Sequence, residues 1–225
     1  MTGVSLDSLL ALGFLLGLRH ATEADHLAAI STIVTERRSL LSSSLVGALW
    51  GLGHTLALLI AGVGVLLLRY QLTDRMVHGF ELCVGIMLVL LGINVLRTLA
   101  SHEGWHVRHA HPHAAVAQHS HADVWLVWRP LFVGMVHGVA GSAPLLLLAL
   151  TAMSSPLAAF SYIAVFGVGS MTGMTIMSLL VGVPARLTAQ FARTNVAVRG
   201  LSGLFSVGLG LFIVYENAVL NRLIA

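Results

Sequence analysis

Gly17-Leu18-Arg19-His20-Ala21-Thr22-Glu23-Ala24-Asp25-His26-Leu27 sets two imidazoles, two carboxylates and a guanidinium inside a run otherwise apolar enough to cross a bilayer. Ionisable groups at membrane depth are costly and mark functional sites by default. The surrounding chain supports the membrane reading. Of 225 residues, 57% are hydrophobic and only 9% charged, against about 25% charged in soluble domains. The formal net charge is +3. All twelve basic residues are arginines, and apart from Arg19 they are scattered at segment ends. That placement fits topology anchors rather than a nucleic-acid surface, so no nucleic-acid partner is expected. The single cysteine, Cys83, excludes an internal disulfide and CxxC redox chemistry. The first hydrophobic segment lacks the basic leader of a secretory signal and is expected to be retained.

A membrane span needs about 20 apolar residues. Six stretches qualify, near 6–34, 43–68, 76–99, 130–153, 156–183 and 198–219. Pro130 and Pro156 are expected near helix starts, and Pro144 is expected to kink or break the fourth span. Eight arginines (37, 38, 97, 108, 129, 186, 193 and 199) fall on one side and three (69, 75 and 222) on the other. The positive-inside rule makes the first side cytoplasmic, with both termini outside. Three patterns recur at nearly one offset. Gly17-Leu18-Arg19-His20 recurs as Gly134-Met135-Val136-His137 at 117, Gly51-Leu52-Gly53-His54 as Gly167-Val168-Gly169-Ser170 at 116, and Gly85 and Gly92 as Gly203 and Gly210 at 118. Three spans per half force the halves to lie antiparallel. The expected fold is therefore an all-α membrane protein of six transmembrane helices in two inverted three-helix repeats. Residues 1–100 form the first repeat, 101–125 a polar cytoplasmic loop and 126–225 the second repeat. In such folds the site lies at the repeat interface near the midplane, and rocking of the halves exposes it to each side in turn. Most glycines read as small-xxx-small packing positions. Gly138 to Pro144 is an exception that weakens the helix just after His137. Asn94 and Thr172 read as interhelical hydrogen bonders.

The site follows from helical geometry. At 100° per residue, His20, Glu23 and His26 lie along one stripe, while Asp25 sits about 140° from His20. On a straight helix His20 and His26 are also about 9 Å apart along the axis. Four ligands therefore cannot converge on one ion unless the helix breaks between His20 and His26 or the groups divide their roles. Imidazole with carboxylate suits Ni, Co, Zn or Fe(II). His54 in the second span completes the candidate set, and His137 is the repeat mate of His20. Ser142 and Ser170 occupy the repeat positions of Asp25 and His54, as weaker oxygen donors. A purely structural hydrogen-bond network with an Arg19–carboxylate pair is the competing reading. The polar loop adds His102, His106, His109, His111, His113, His119 and His121, a tract able to bind metal loosely without a packed core.

Arg19 to Leu27 and Leu52-Gly53-His54-Thr55 closely resemble the signature of the nickel/cobalt transporter (NiCoT) family. That signature is His, four residues, Asp, His, followed by a Gly-His motif in the next helix. Classical members carry acidic Asp-Thr motifs in the second half, where this chain has Met135 to Ser142. In that respect and in length it looks more like the six-span UreH-type branch, associated with nickel supply to urease or hydrogenase. The resemblance implies transport of Ni(II), or Co(II), as substrate, with no cofactor, in the bacterial inner membrane. It also implies urease or hydrogenase maturation proteins as partners. A P-loop is absent, since the chain has no lysine, which argues against ATP-driven transport. Uptake is the leading expectation; efflux, a metal-sensing membrane module and a non-haem metal enzyme are the alternatives.

Overall fold

The computed structural model describes residues 6–35, 39–67, 73–101, 121–140 and 155–220. Among them every regular element is helical: α1 (Leu6–His20), α2 (Ala24–Val34), α3 (Leu40–Leu67), α4 (Asp74–Ala100), α5 (His121–Ala140), α6 (Pro156–Thr188) and α7 (Ala192–Tyr215). A π-helical turn, Glu216–Leu220, continues α7. Among the described residues, four helices are long and apolar enough to cross a membrane: Leu40–Val65 of α3, α4, α6, and Ala192–Leu220 of α7 with its π turn. Large apolar side chains such as Leu45, Ile60, Leu90, Leu180 and Leu201 stand exposed on them. Such a surface suits lipid, while the backbone polar groups are satisfied within each helix. The chain is an all-helical membrane protein.

The elements differ from the expected spans in three places. The first span is two helices, α1 of 15 residues and α2 of 11. Pro130 lies inside α5, which already begins at His121, within the stretch expected to be loop. Pro184 lies inside α6, which runs on to Thr188. Pro156 does stand at the start of α6, where Ser155 Oγ accepts from the Ala158 N–H at 3.2 Å and a proline gives up no helical hydrogen bond. The segment around Ser142 and Pro144, and loop histidines 102 to 119, lie outside the described residues.

Glycine decides which helix faces meet. The dominant pairings are α3 with α6, α4 with α7, α3 with α5 and α1 with α6. Each joins a helix of the first half to one of the second. A Cβ on Gly17 would fall on the Phe166 carbonyl, and a Cβ on Gly134 on the Trp50 carbonyl. At offsets of 117 and 116 these are one contact made twice. Gly169 against Phe14 recurs in the same way as Gly53 against Leu131. Between α4 and α7, Gly85 meets the Gly210 carbonyl and Gly92 the Gly203 carbonyl, so the two helices run antiparallel. Midway between these contacts, Ser206 Oγ donates to the Leu88 carbonyl at 2.8 Å. These two residues are 118 apart, and so each faces its own repeat mate. Thr55 Oγ1 donates to the Gly167 carbonyl at 3.2 Å across α3 and α6. These hydroxyls do the interhelical bonding. Thr172 bonds only to Val168 of its own helix, and Asn94 is exposed.

Candidate metal centre

Of the two arrangements the spacing left open, a helix break between His20 and His26 or divided roles, the break is present. α1 stops at His20, residues 21–23 turn, and α2 starts at Ala24. Thr22 Oγ1 donates back to the Arg19 carbonyl at 2.6 Å, a local bond that competes with helix continuation. Glu23 is extended, with φ −65° and ψ 150°. The break brings the rings of His20 and His26 to a centroid separation of 4.6 Å. α3 adds His54, 5.2 Å from His20 and 5.6 Å from His26. α5 adds His137, 4.3 Å from His26. All four imidazoles are at most 1% exposed.

Two donor sets of metal-binding dimensions result, His20/His26/His54 and Asp25/His26/His137, with ligand atoms within 4.8 Å of one another in each. His26 belongs to both. Asp25 Oδ1 accepts from the His26 backbone N–H at 2.8 Å and lies 3.0 Å from His26 Nδ1, and Asp25 Oδ2 lies 2.8 Å from His137 Nε2. A carboxylate only accepts, so His26 must donate from Nδ1 and His137 from Nε2. The lone pairs then sit on His26 Nε2 and His137 Nδ1, both buried with no hydrogen-bond partner. Leaving such an atom unsatisfied costs about 1–3 kcal/mol. A metal ion bound there would remove that cost at His26 Nε2, which belongs to the ring next to His20 and His54. A carboxylate behind a ligating imidazole also fixes its tautomer and raises its basicity.

Every residue expected to supply a ligand, where described, can be placed. His20, His26, His54 and His137 converge. Asp25 is 20% exposed and braces two of them. Glu23 is half exposed, and its Oε1 lies 2.9 Å from His20 Nδ1, so it touches the centre from outside rather than entering either donor set. Ser170 is buried on α6, its hydroxyl without a hydrogen-bond partner, and its backbone packs against Gly17. His121 opens α5, away from the last turn that carries His137. Sequence reasoning missed Trp50. Its ring lies near-parallel to His26 at 5.7 Å and edge-on to His137 at 5.6 Å. A buried aromatic four residues before His54 was the available signal. It also missed that Asp25 joins the halves by reaching α5.

The chain is 37% identical over 224 residues to the urease accessory protein UreH of Bacillus sp. (strain TB-90), covering 99% of this chain and 97% of that one. The chain belongs to the UreH-type branch of the nickel/cobalt transporter family. Two Arabidopsis thaliana relatives, the chloroplast proteins FOR GROWTH AND FERTILITY 1 and 2, are 29% and 26% identical over 90% and 91% of this chain. The chain spans 57% and 55% of their lengths. No family model and no solved structure matches. UreH is named as an accessory protein, in keeping with a UreH-type chain that is not an enzyme.

Proposed function

We propose that this UreH-type protein carries Ni(II), with Co(II) as a second cargo, across the bacterial inner membrane to supply metalloenzyme maturation. The observation that carries the reading is His26, a buried imidazole shared by two donor sets. An ion held by His20, His26 and His54 has a second position beside Asp25, His26 and His137. Transfer between them keeps at least one ligand attached throughout. The name of the Bacillus relative supplies the destination, urease, and by extension hydrogenase, with their maturation proteins as partners.

Six spans in two inverted repeats, with both termini outside and the His-rich loop cytoplasmic, are the topology we assign. The reciprocal glycine contacts and the Leu88–Ser206 bond support it. The first span is then the broken pair α1–α2 and the fourth begins with α5. Because the dominant helix pairings all join one half to the other, we assign alternating exposure to the α1–α2 break rather than to halves rocking as rigid bodies. The loop histidines take up the ion after release.

Uptake is favoured by energetics. A divalent ion crossing 100 mV gains about 4.6 kcal/mol, roughly a thousandfold concentration. In cells expressing the protein, nickel accumulation should fall to the vector background with His26→Ala; accumulation unchanged by that substitution overturns the reading. Overexpression should also make the host more sensitive to nickel, whereas protection would mean efflux.

A further inference from the structure

A cavity of about 260 Å³ lies between the first turns of α4 and the end of α7. Asp25, Glu81, Glu216 and Asn217 supply its polar wall. Asp25 is the carboxylate that braces His26 and His137, so one side of the cavity is the metal centre itself. The wall beyond it is built by the π-helical turn at Glu216, a distortion often found at functional positions. Asn217, 2% exposed, donates to the Ile213 carbonyl at 3.0 Å and has its Oδ1 3.0 Å from His78 Nδ1. His78 in turn lies 3.6 Å from Glu81. An imidazole and an amide thus tie α4 to α7 and hold Glu81 beside the opening.

Size and charge suggest what the cavity takes. A water occupies about 30 Å³, so a six-water shell around a small ion needs roughly 180 Å³, which this volume accommodates. Its carboxylates attract cations. The repeat makes the opposite end informative. At the 118-residue offset Glu81 corresponds to Arg199, and Glu216 to Thr98. Thr98 bonds to the Asn94 carbonyl of its own helix. The same backbone plan therefore carries two acids at one end and an arginine and a hydroxyl at the other.

We propose that this cavity is the route by which a hydrated divalent transition-metal ion reaches the histidine cluster, with Glu81 and Glu216 holding the ion in its water shell before Asp25 and the imidazoles replace that shell. The proposal rests on the transport reading above, under which this end faces outward. The test uses the full chain in proteoliposomes, with initial Ni(II) uptake measured against concentration at low and high salt. The double variant Glu81→Gln/Glu216→Gln should raise the half-saturating Ni(II) concentration about tenfold, leave the maximal rate unchanged and flatten the salt dependence, in line with charge-focused association. Glu81→Asp/Glu216→Asp should keep the wild-type concentration dependence. An unaltered half-saturating concentration and salt slope in the Gln pair, or a lower maximal rate alone, overturns the route. Wild-type vesicles that bind Ni(II) without accumulating it overturn transport instead. The route is then decided by equilibrium binding to the purified His26→Ala protein. Residual weak Ni(II) binding abolished by the Gln pair supports it, and no such binding overturns it.

Discussion

Asp25→Asn is the sharpest probe of the centre, because the side chain keeps its shape while one of the two imidazoles it braces loses its acceptor. In the native protein Oδ1 faces His26 Nδ1 at 3.0 Å and Oδ2 faces His137 Nε2 at 2.8 Å. An amide has one accepting oxygen and one donating nitrogen. If the oxygen stays with His26, whose backbone N–H also points at it from 2.8 Å, the NH₂ group meets His137 Nε2. That ring must then turn over its tautomer, and its lone pair moves from Nδ1 to Nε2. The second donor set loses a charge and an aligned ligand together. Changes to the group behind a ligating histidine typically cost 10–100-fold in metal affinity, which is about 1.4–2.8 kcal/mol. Isothermal titration of Ni(II) into the detergent-solubilised protein should therefore show a dissociation constant raised by that factor, with accumulation in cells reduced in parallel. Asp25→Glu, which keeps the charge, should lie between Asn and wild type. Wild-type affinity in the Asn variant, in a protein of wild-type helicity, would refute the argument that this carboxylate organises the two imidazoles.

The remaining expectations concern the supports of the site. Trp50→Ala removes the ring parallel to His26, and aromatic pairs contribute about 0.5–1.5 kcal/mol beyond burial; Ni(II) affinity should fall several-fold, with Trp50→Phe recovering most of it in the same titration. Gly134→Val places a side chain on the Trp50 carbonyl, and overpacking of this kind costs about 1–3 kcal/mol; thermal unfolding should move down while Gly64→Ala, at a glycine with open space around it, leaves it in place. Because imidazoles ligate only when neutral, protons compete with the metal, and Ni(II) binding should weaken on acidification; an affinity that stays constant down to the acid limit of the folded protein would count against histidine ligation.

Much of this was legible in the residues. Angular arithmetic left a break after His20 or divided roles as the two choices, since no straight helix gathers His20, Asp25 and His26, and the structure has the break. Glycines read as packing positions do lie at close helix contacts, Gly17 against Phe166 and Gly134 against Trp50, although the sequence did not say which partner each would meet. What the sequence hid was partnership across the halves. Asp25 sits off the His20 stripe, and only the fold shows that this angle aims it at His137. Trp50 read as one more apolar residue because its hydrophobicity says nothing about which ring it lies against. Pro130 misled because a proline inside a helix loses one hydrogen bond that a neighbouring span can compensate, so it need not mark an end. Hydropathy likewise merged α1 and α2, since the turn at 21–23 contains neither glycine nor proline.

The cross-half pairing of α1, α3 and α4 also sets the order of assembly during synthesis. None of these helices has its main packing mate among residues 1–100. At about 5–20 residues per second, the remaining 125 residues take roughly 6–25 s to emerge. Through that interval the glycine-notched faces of the first helices rest against lipid tails, and Asp25 has no His137 to meet. The nascent half is thus a substrate for membrane quality control, and a chain truncated after residue 100 should be degraded far faster in a pulse-chase than the complete one. Completion of the last helix closes a mutual clasp in which each half supplies the core of the other.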